Sequence, residues 1–242
     1  MSAAKWFTGA IALLLLGTVV AVRIELAHRP KGFVPKVAIG TNDEVYFEHG
    51  ASVQDALALG HALQSVGFFR GRGGAVLVSR GGGGAIVSFV VNEGAWNDPN
   101  AVASFEEIGR RIAGSVGGFP IRVRLVDGAW TERKALAVGR AAIGAKDVIY
   151  YFGNATERDA RALGEALRQA GYLVDLGVSV VLSKDSGTAI GFVVGDGVWD
   201  RPEAVAAFEQ LVRRVSGAAG GLPIELKLLN AEMEPKQTAL VR

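Results

Sequence analysis

The sequence predicts an α+β protein made by tandem duplication of a ferredoxin-like βαββαβ unit, and three observations carry that prediction. Glu93, Gly94, Ala95, Trp96, Asn97, Asp98 and Pro99 return 103 residues later as Asp196, Gly197, Val198, Trp199, Asp200, Arg201 and Pro202. Both stretches follow an apolar Phe-Val-Val run, Phe89 to Val91 and Phe192 to Val194, and both precede a helical pattern. In each copy, two runs with helical periodicity alternate with β-prone runs, an order that suits two helices on one face of a four-stranded antiparallel sheet. The expected organisation is therefore a segment over residues 1–24, a linker over 25–36, and ferredoxin-like repeats over 37–139 and 140–242. A single sheet shared by both repeats is the competing architecture.

The first expected strand lies in Ala38 to Phe47, matched at Val148 to Tyr151. Ser52 and Thr156 follow, each with an acid three residues on (Asp55, Asp159), a variant of the capping box that opens a helix. The helices place Ala56, Leu59, Gly60 and Leu63, and then Ala160, Leu163, Gly164 and Leu167, on one face at i, i+3, i+4, i+7. Glycine inside a helix costs about 1 kcal/mol against alanine, so its repetition at 60 and 164 predicts close approach of the helix to a sheet. Gly67 and Gly171 close these helices as C′ residues.

Hairpins are expected from Ala75–Ser79 with Ala85–Val91, and from Ser179–Ser183 with Ala189–Val194. The second helices run from about Pro99 to Ser115 and from Pro202 to Ser216, with Asn97 and Asp200 as expected N-caps. Their apolar faces hold Val102, Phe105, Ile108 and Ile112, and Val205, Phe208, Leu211 and Val215. Closing strands alternate Ile121, Val123, Leu125 with Arg122, Arg124, and Ile224, Leu226, Leu228 with Glu225, Lys227, as in a sheet with one solvated face. Ala135–Val138 and Thr238–Val241 read as short edge strands.

Trp6 to Val22 carries no charge, and its length is at the short end for a bilayer-spanning helix. It reads as a retained membrane anchor; a signal peptide cleaved after Ala21 is the alternative. The expected location is the bacterial inner membrane in a single pass. Four basic residues after the run favour a cytoplasmic bulk, whereas its signal-like start favours an extracytoplasmic one, the side adopted here.

The formal net charge of +2 is concentrated in residues 1–36, where Lys5, Arg23, Arg29, Lys31 and Lys36 face only Glu25. Residues 37–139 hold nine basic and ten acidic side chains and residues 140–242 twelve and thirteen, so each repeat is at −1. No nucleic-acid partner is expected from such a balance. The absence of cysteine excludes disulfides, thiolate metal sites and a cysteine nucleophile.

No catalytic residue, metal site or cofactor is expected. His49 aligns with Gly153 and His61 with Glu165, so neither histidine belongs to a site common to both copies. The glycines at 71, 73, 74 and 81–84 lie before and between strands, whereas a phosphate cradle needs them ahead of a helix. Arg110, Arg111, Arg213 and Arg214 recur on the second helices. Glu106 and Glu209, four residues before Arg110 and Arg213, account for one arginine of each pair, which leaves Arg111 and Arg214 as carboxylate- or phosphate-binding candidates. Trp96 and Trp199 are either plugs over the sheet end or binding anchors, with Glu93 and Asp196 bracing the same turns.

Asp43 to Phe47, the Ala-Leu-Gly-His-Ala-Leu run ending at Leu63, Gly67 to Phe69, and Phe89 to Val91 with the following Glu-Gly-Ala-Trp together resemble a module of bacterial membrane proteins. That module is appended to polytopic proteins, including rhomboid-type and zinc-type membrane peptidases. The resemblance covers both repeats and implies an accessory role at a membrane; it brings no peptidase machinery. The functional expectation is a membrane-anchored, non-enzymatic interaction or ligand-sensing module with a protein partner or a second copy of itself. A hydrolase-like site would instead need Glu93, Asp196, Arg111 and Arg214 to converge where the repeats meet.

Overall fold

The structure, a computed structural model, describes residues 34–81 and 84–242. Each repeat opens with a hairpin: the strand expected within Ala38 to Phe47 is two strands, and Val148 to Tyr151 forms only the second arm of the corresponding pair. β1 (Lys36–Ile39) and β2 (Asp43–Glu48) turn about Gly40 to Asn42, and the second half of β6 (Glu132–Ile143) and β7 (Asp147–Gly153) turn about Gly144 to Lys146. Helix α1 (Val53–Ser65) leads to β3 (Ala75–Gly81) and β4 (Gly84–Val90), and α2 (Pro99–Ile112) leads to β5 (Ile121–Val126) and the first half of β6. In the second repeat, α3 (Glu157–Gln169), β8 (Ser179–Lys184), β9 (Thr188–Val193), α4 (Pro202–Ala219), β10 (Ile224–Leu229) and β11 (Pro235–Val241) follow the same order.

The ferredoxin-like expectation is overturned. The eleven strands of the described residues form one mixed sheet in strict chain order, β1 to β11. In a split βαβ unit another strand lies between the two that a helix connects. Here the helix-linked pairs β2–β3, β4–β5, β7–β8 and β9–β10 are direct hydrogen-bonded neighbours and run parallel, while every other neighbouring pair is antiparallel. The extra hairpin strand at the start of each unit and the full ladder at its end are what a βαββαβ reading lacks. Ala135–Val138 lies in the sixth of eleven strands, not at an edge, and the repeat boundary at Gly139 falls inside β6.

The membrane-span expectation rests on Trp6 to Val22, outside the described residues. Among the described residues no helix is long and apolar enough to cross a membrane, so a transmembrane helix has no support in the structure.

Within each repeat the local rules hold. Ser52 and Thr156 cap α1 and α3 in reciprocal boxes with Asp55 and Asp159. Ion pairs tie each box to the strand that follows: Arg80 to Asp55, and Lys184 Nζ to Asp159 Oδ1 at 2.8 Å. A Cβ on Gly60 would meet Ile39 at 2.2 Å and one on Gly164 would meet Ile143 at 2.4 Å, which confirms close helix–sheet approach as the reason for both glycines. The second helices begin at Pro99 and Pro202 as expected, but their N-caps lie one residue later than the expected Asn97 and Asp200. Asp98 accepts the Asn100 N–H as N-cap of α2, and Arg201 occupies the N-cap of α4 without a side-chain bond.

The two helical layers lie on opposite faces of the sheet. Val45, Val76, Val78, Val87, Phe89, Val123, Leu136 and Val138 belong to the core under α1 and α2, and Ala141, Ile143, Ile149, Val180, Leu182, Ile190 and Phe192 to the core under α3 and α4. Strand side chains alternate between faces, and Val138 and Ala141, three positions apart on β6, therefore point to opposite sides. Strand direction also inverts between β1 and β6, so one repeat maps onto the other by a half-turn about an axis across the strands, with a translation along it. β5 pairs with residues 132–138 of β6 and β7 with residues 137–143. The repeats are thus displaced by five residues, about 17 Å along the strands at 3.3 Å per residue.

Candidate functional site

The tryptophan turns lie where β4 and β9 end. Trp96 is half-buried against the first core and Trp199 against the second, and the Arg133 guanidinium sits 5.7 Å from the Trp96 ring centre. Both rings extend the core at a strand end. Glu93 and Asp196 are exposed. β4 and β9 are antiparallel and five strands apart, about 24 Å at 4.8 Å per step. Through the register, Val90 is level with Glu132 of β6 and Val193 with Ala142, ten residues or about 33 Å further along the strands. With the helices on opposite faces as well, the structure does not bring Glu93 and Asp196 together.

The arginines are not free binding groups of one kind. Arg111 Nε donates to Glu107 Oε1 at 2.6 Å, and Arg110 also pairs with Glu107 rather than with Glu106. The expected i,i+4 pair forms only in the second repeat, from Arg213 to Glu209 at 3.2 Å. Arg214 is exposed on α4, remote from Arg111 because α2 and α4 belong to opposite layers.

At the seam of the repeats Glu106 is buried, unlike its counterpart Glu209. Helix α2 lies over β5 and β6 and reaches onto the face of the second repeat that α3 and α4 leave uncovered. Phe152, Tyr150 and Val181 of that face join the first core, and the Arg110 guanidinium stands 5.7 Å from the Tyr150 ring centre. Glu106, on the same side of α2, is only 8% exposed. Its Oε1 has no hydrogen-bond partner; the Gly153 backbone lies beside it but offers no bond of ordinary geometry. Lys134 of β6 and Asp185 of the β8–β9 hairpin pair with each other at 3.3 Å nearby, and Lys227 of β10, held 3.0 Å from Glu225, stands within electrostatic reach. Burial pushes the Glu106 carboxyl up to about 7, Asp185 adds to the rise, and Lys134 and Lys227 oppose it.

On the opposite face, a cleft of about 480 Å³ opens at the same seam, lined by Gly81, Gly84, Ile86, Arg122, Ala137 and Asn154. Arg122 at its wall is half-exposed and 3.6 Å from Glu132. Trp130, in the β5–β6 loop, packs edge-on against Tyr46 on this face with ring centres 5.7 Å apart.

Glu106, Lys134, Asp185 and Lys227 were not singled out from the sequence as a site, because Glu106 aligns with Glu209 and has the local signature of a helix-surface ion pair. The signal that could have found them is the odd spacing of core positions across β6, which puts α2 against the second repeat. Among the described residues no group of three or more His, Asp or Glu is arranged to hold a metal ion. No protein-family model, curated protein or solved structure matches the chain.

Proposed function

We propose that the chain is a non-enzymatic interaction or ligand-sensing module whose responsive region is the seam between its repeats. One observation carries this reading. Glu106 is buried against charged groups of both repeats with one oxygen unpartnered, while its counterpart Glu209 holds a surface ion pair. An unpaired buried polar group costs about 1–3 kcal/mol, and nothing in the fold requires one here, since the second repeat folds the same helix without it. The hydrolase-like alternative needs convergence of Glu93, Asp196, Arg111 and Arg214, and their placement gives it no support. A protein partner suits the near-neutral repeats better than a nucleic acid does.

The test is affinity capture with the full chain and with its Glu106→Gln variant, followed by titration of each purified protein or ligand recovered. A partner that the wild type binds at least about tenfold more tightly, a difference of 1.4 kcal/mol, supports the proposal. Equal binding to both chains overturns the seam, and turnover of an ester or phosphoester that depends on Glu93 or Asp196 overturns the non-enzymatic reading.

A further inference from the structure

We propose that Glu106 is a proton-operated latch between the repeats, closed when its carboxyl is neutral and loosened when it ionises. The proposal rests on the seam reading above and names the proton as the ligand sensed there. The groups facing Glu106 come from every element packed around it: Lys134 on β6, Asp185 on the β8–β9 hairpin, and Lys227 with its partner Glu225 on β10. On β7, Tyr150 faces the neighbouring Arg110, and on α2 itself Glu107 is engaged by Arg110 and Arg111.

Each nearby cation thus already has a partner. A neutral Glu106 leaves all these pairs intact and lets α2 lie against the second repeat. An ionised Glu106, nine-tenths buried, needs a cation. Lys134, the cation that acts on it most strongly, must then leave Asp185, and withdrawing it loosens the hairpin from β6. Because burial holds the titration of Glu106 near pH 7, the change falls where a cell compartment can drive it.

The chain has no cysteine, so two labels can be placed without background. Ala103→Cys on α2 and Ser186→Cys in the hairpin, both at exposed positions, report the distance across the seam when spin-labelled in the full chain. The expected result is a narrow distribution at pH 5 that broadens or lengthens by pH 9 with a midpoint near 7. Adding Glu106→Gln should keep it narrow throughout. Asp185→Asn should move the midpoint down and Lys227→Met should move it up, opposite shifts that a merely structural role for Glu106 would not produce. A wild-type distribution unchanged from pH 5 to 9, or the same change in the Glu106→Gln chain, overturns the latch. If the latch fails while partner affinity still depends on Glu106, the interaction reading stands alone; if the distance switches but no partner distinguishes the variants, the latch stands without it.

Discussion

The two repeats share their caps, their glycines and their tryptophan turns, yet the outer side of the second helix meets a different environment in each. On α4, Glu209 is an ordinary surface acid paired with Arg213. On α2, Glu106 is enclosed by the neighbouring repeat and its preferred partner is taken by Glu107. A closely matched stretch therefore gives a solvated ion pair at the end of the array and a perturbed carboxyl in its middle. Two things make the site: burial by the neighbouring repeat, and Glu107, which engages Arg110 where α4 has Gln210 and leaves Arg213 to Glu209.

The most severe way to break this relation is to change the parity of β6. Inserting one residue after Gly139 would turn Ala141 and Ile143 to the other face, because a one-residue slip in a strand exchanges its two sides. With about 1.5–3 kcal/mol at stake per fully buried large side chain, we expect loss of the native second repeat, seen as collapse of near-ultraviolet dichroism and of cooperative melting. Retention of a single wild-type melting transition would contradict the opposed layers.

A second comparison uses the matched core phenylalanines. Phe89→Ala and Phe192→Ala should each destabilise by about 3–5 kcal/mol, since both rings are fully buried. If the common sheet melts as one unit, the two variants lower the same transition equally. Two separate transitions, each moved by only one variant, would show that β6 does not couple the repeats.

The third contrasts Glu106 with Glu209. Unfolding returns Glu106 from about 7 to an ordinary value of 4.5, so between those pH values the folded chain holds a proton that the unfolded chain has released. The stability present at pH 4 is therefore lost as pH rises through that window. Glu106→Gln should stabilise the protein by up to roughly 3 kcal/mol at pH 8, from 1.36 kcal/mol per pH unit, and bring little at pH 4. Glu209→Gln should stay within about 0.5 kcal/mol at both. Denaturant midpoints at the two pH values check both statements.

The smallest expected effect concerns the caps. Ser52→Ala and Thr156→Ala should each cost about 1 kcal/mol, measurable as similar shifts in urea midpoint. Asp159, held down to about 2 first by its bond from Lys184, adds stability that is present above its unfolded value of 3.8 and is lost as pH falls towards 2.

Much of the fold was legible where a residue type answers a local demand. Ser52, Thr156, Gly60, Gly164, Gly67 and Gly171 announced helix starts, close contacts and ends, and these hold in the structure. The hairpins at Gly40 and Gly144 were missed because their first arms, Lys36–Ile39 and the alanine-rich end of β6, carry few strong strand formers beside Val45–Phe47 and Val148–Tyr151, although Gly-Thr-Asn-Asp and Gly-Ala-Lys-Asp mark the turns. Topology was missed because parallel pairing of β2 with β3 and of β7 with β8 leaves no local mark. Asp43 and Asp147 show the same limit. Each is buried and accepts three or more backbone interactions from the loop before the next strand, Gly71, Gly73 and Gly74 in one case, Asp175, Gly177 and Val178 in the other. Partners about thirty positions away are invisible in the sequence. The candidate site depends on such contacts throughout, so the sequence pointed to the meeting of the two copies but not to Glu106.

The displacement of the repeats along β6 also governs how the molecule would respond to force. Lys36 of β1 is level with Ala135 of β6, and Val241 of β11 with Ala137. The two ends of the sheet therefore stand at almost the same height, ten strand steps or about 48 Å apart. A pull between them runs across the strands, so the ladders would be loaded one hydrogen bond at a time and peel from the outside inwards. Tension on this protein would unzip it rather than shear it, leaving the long shared strand for last.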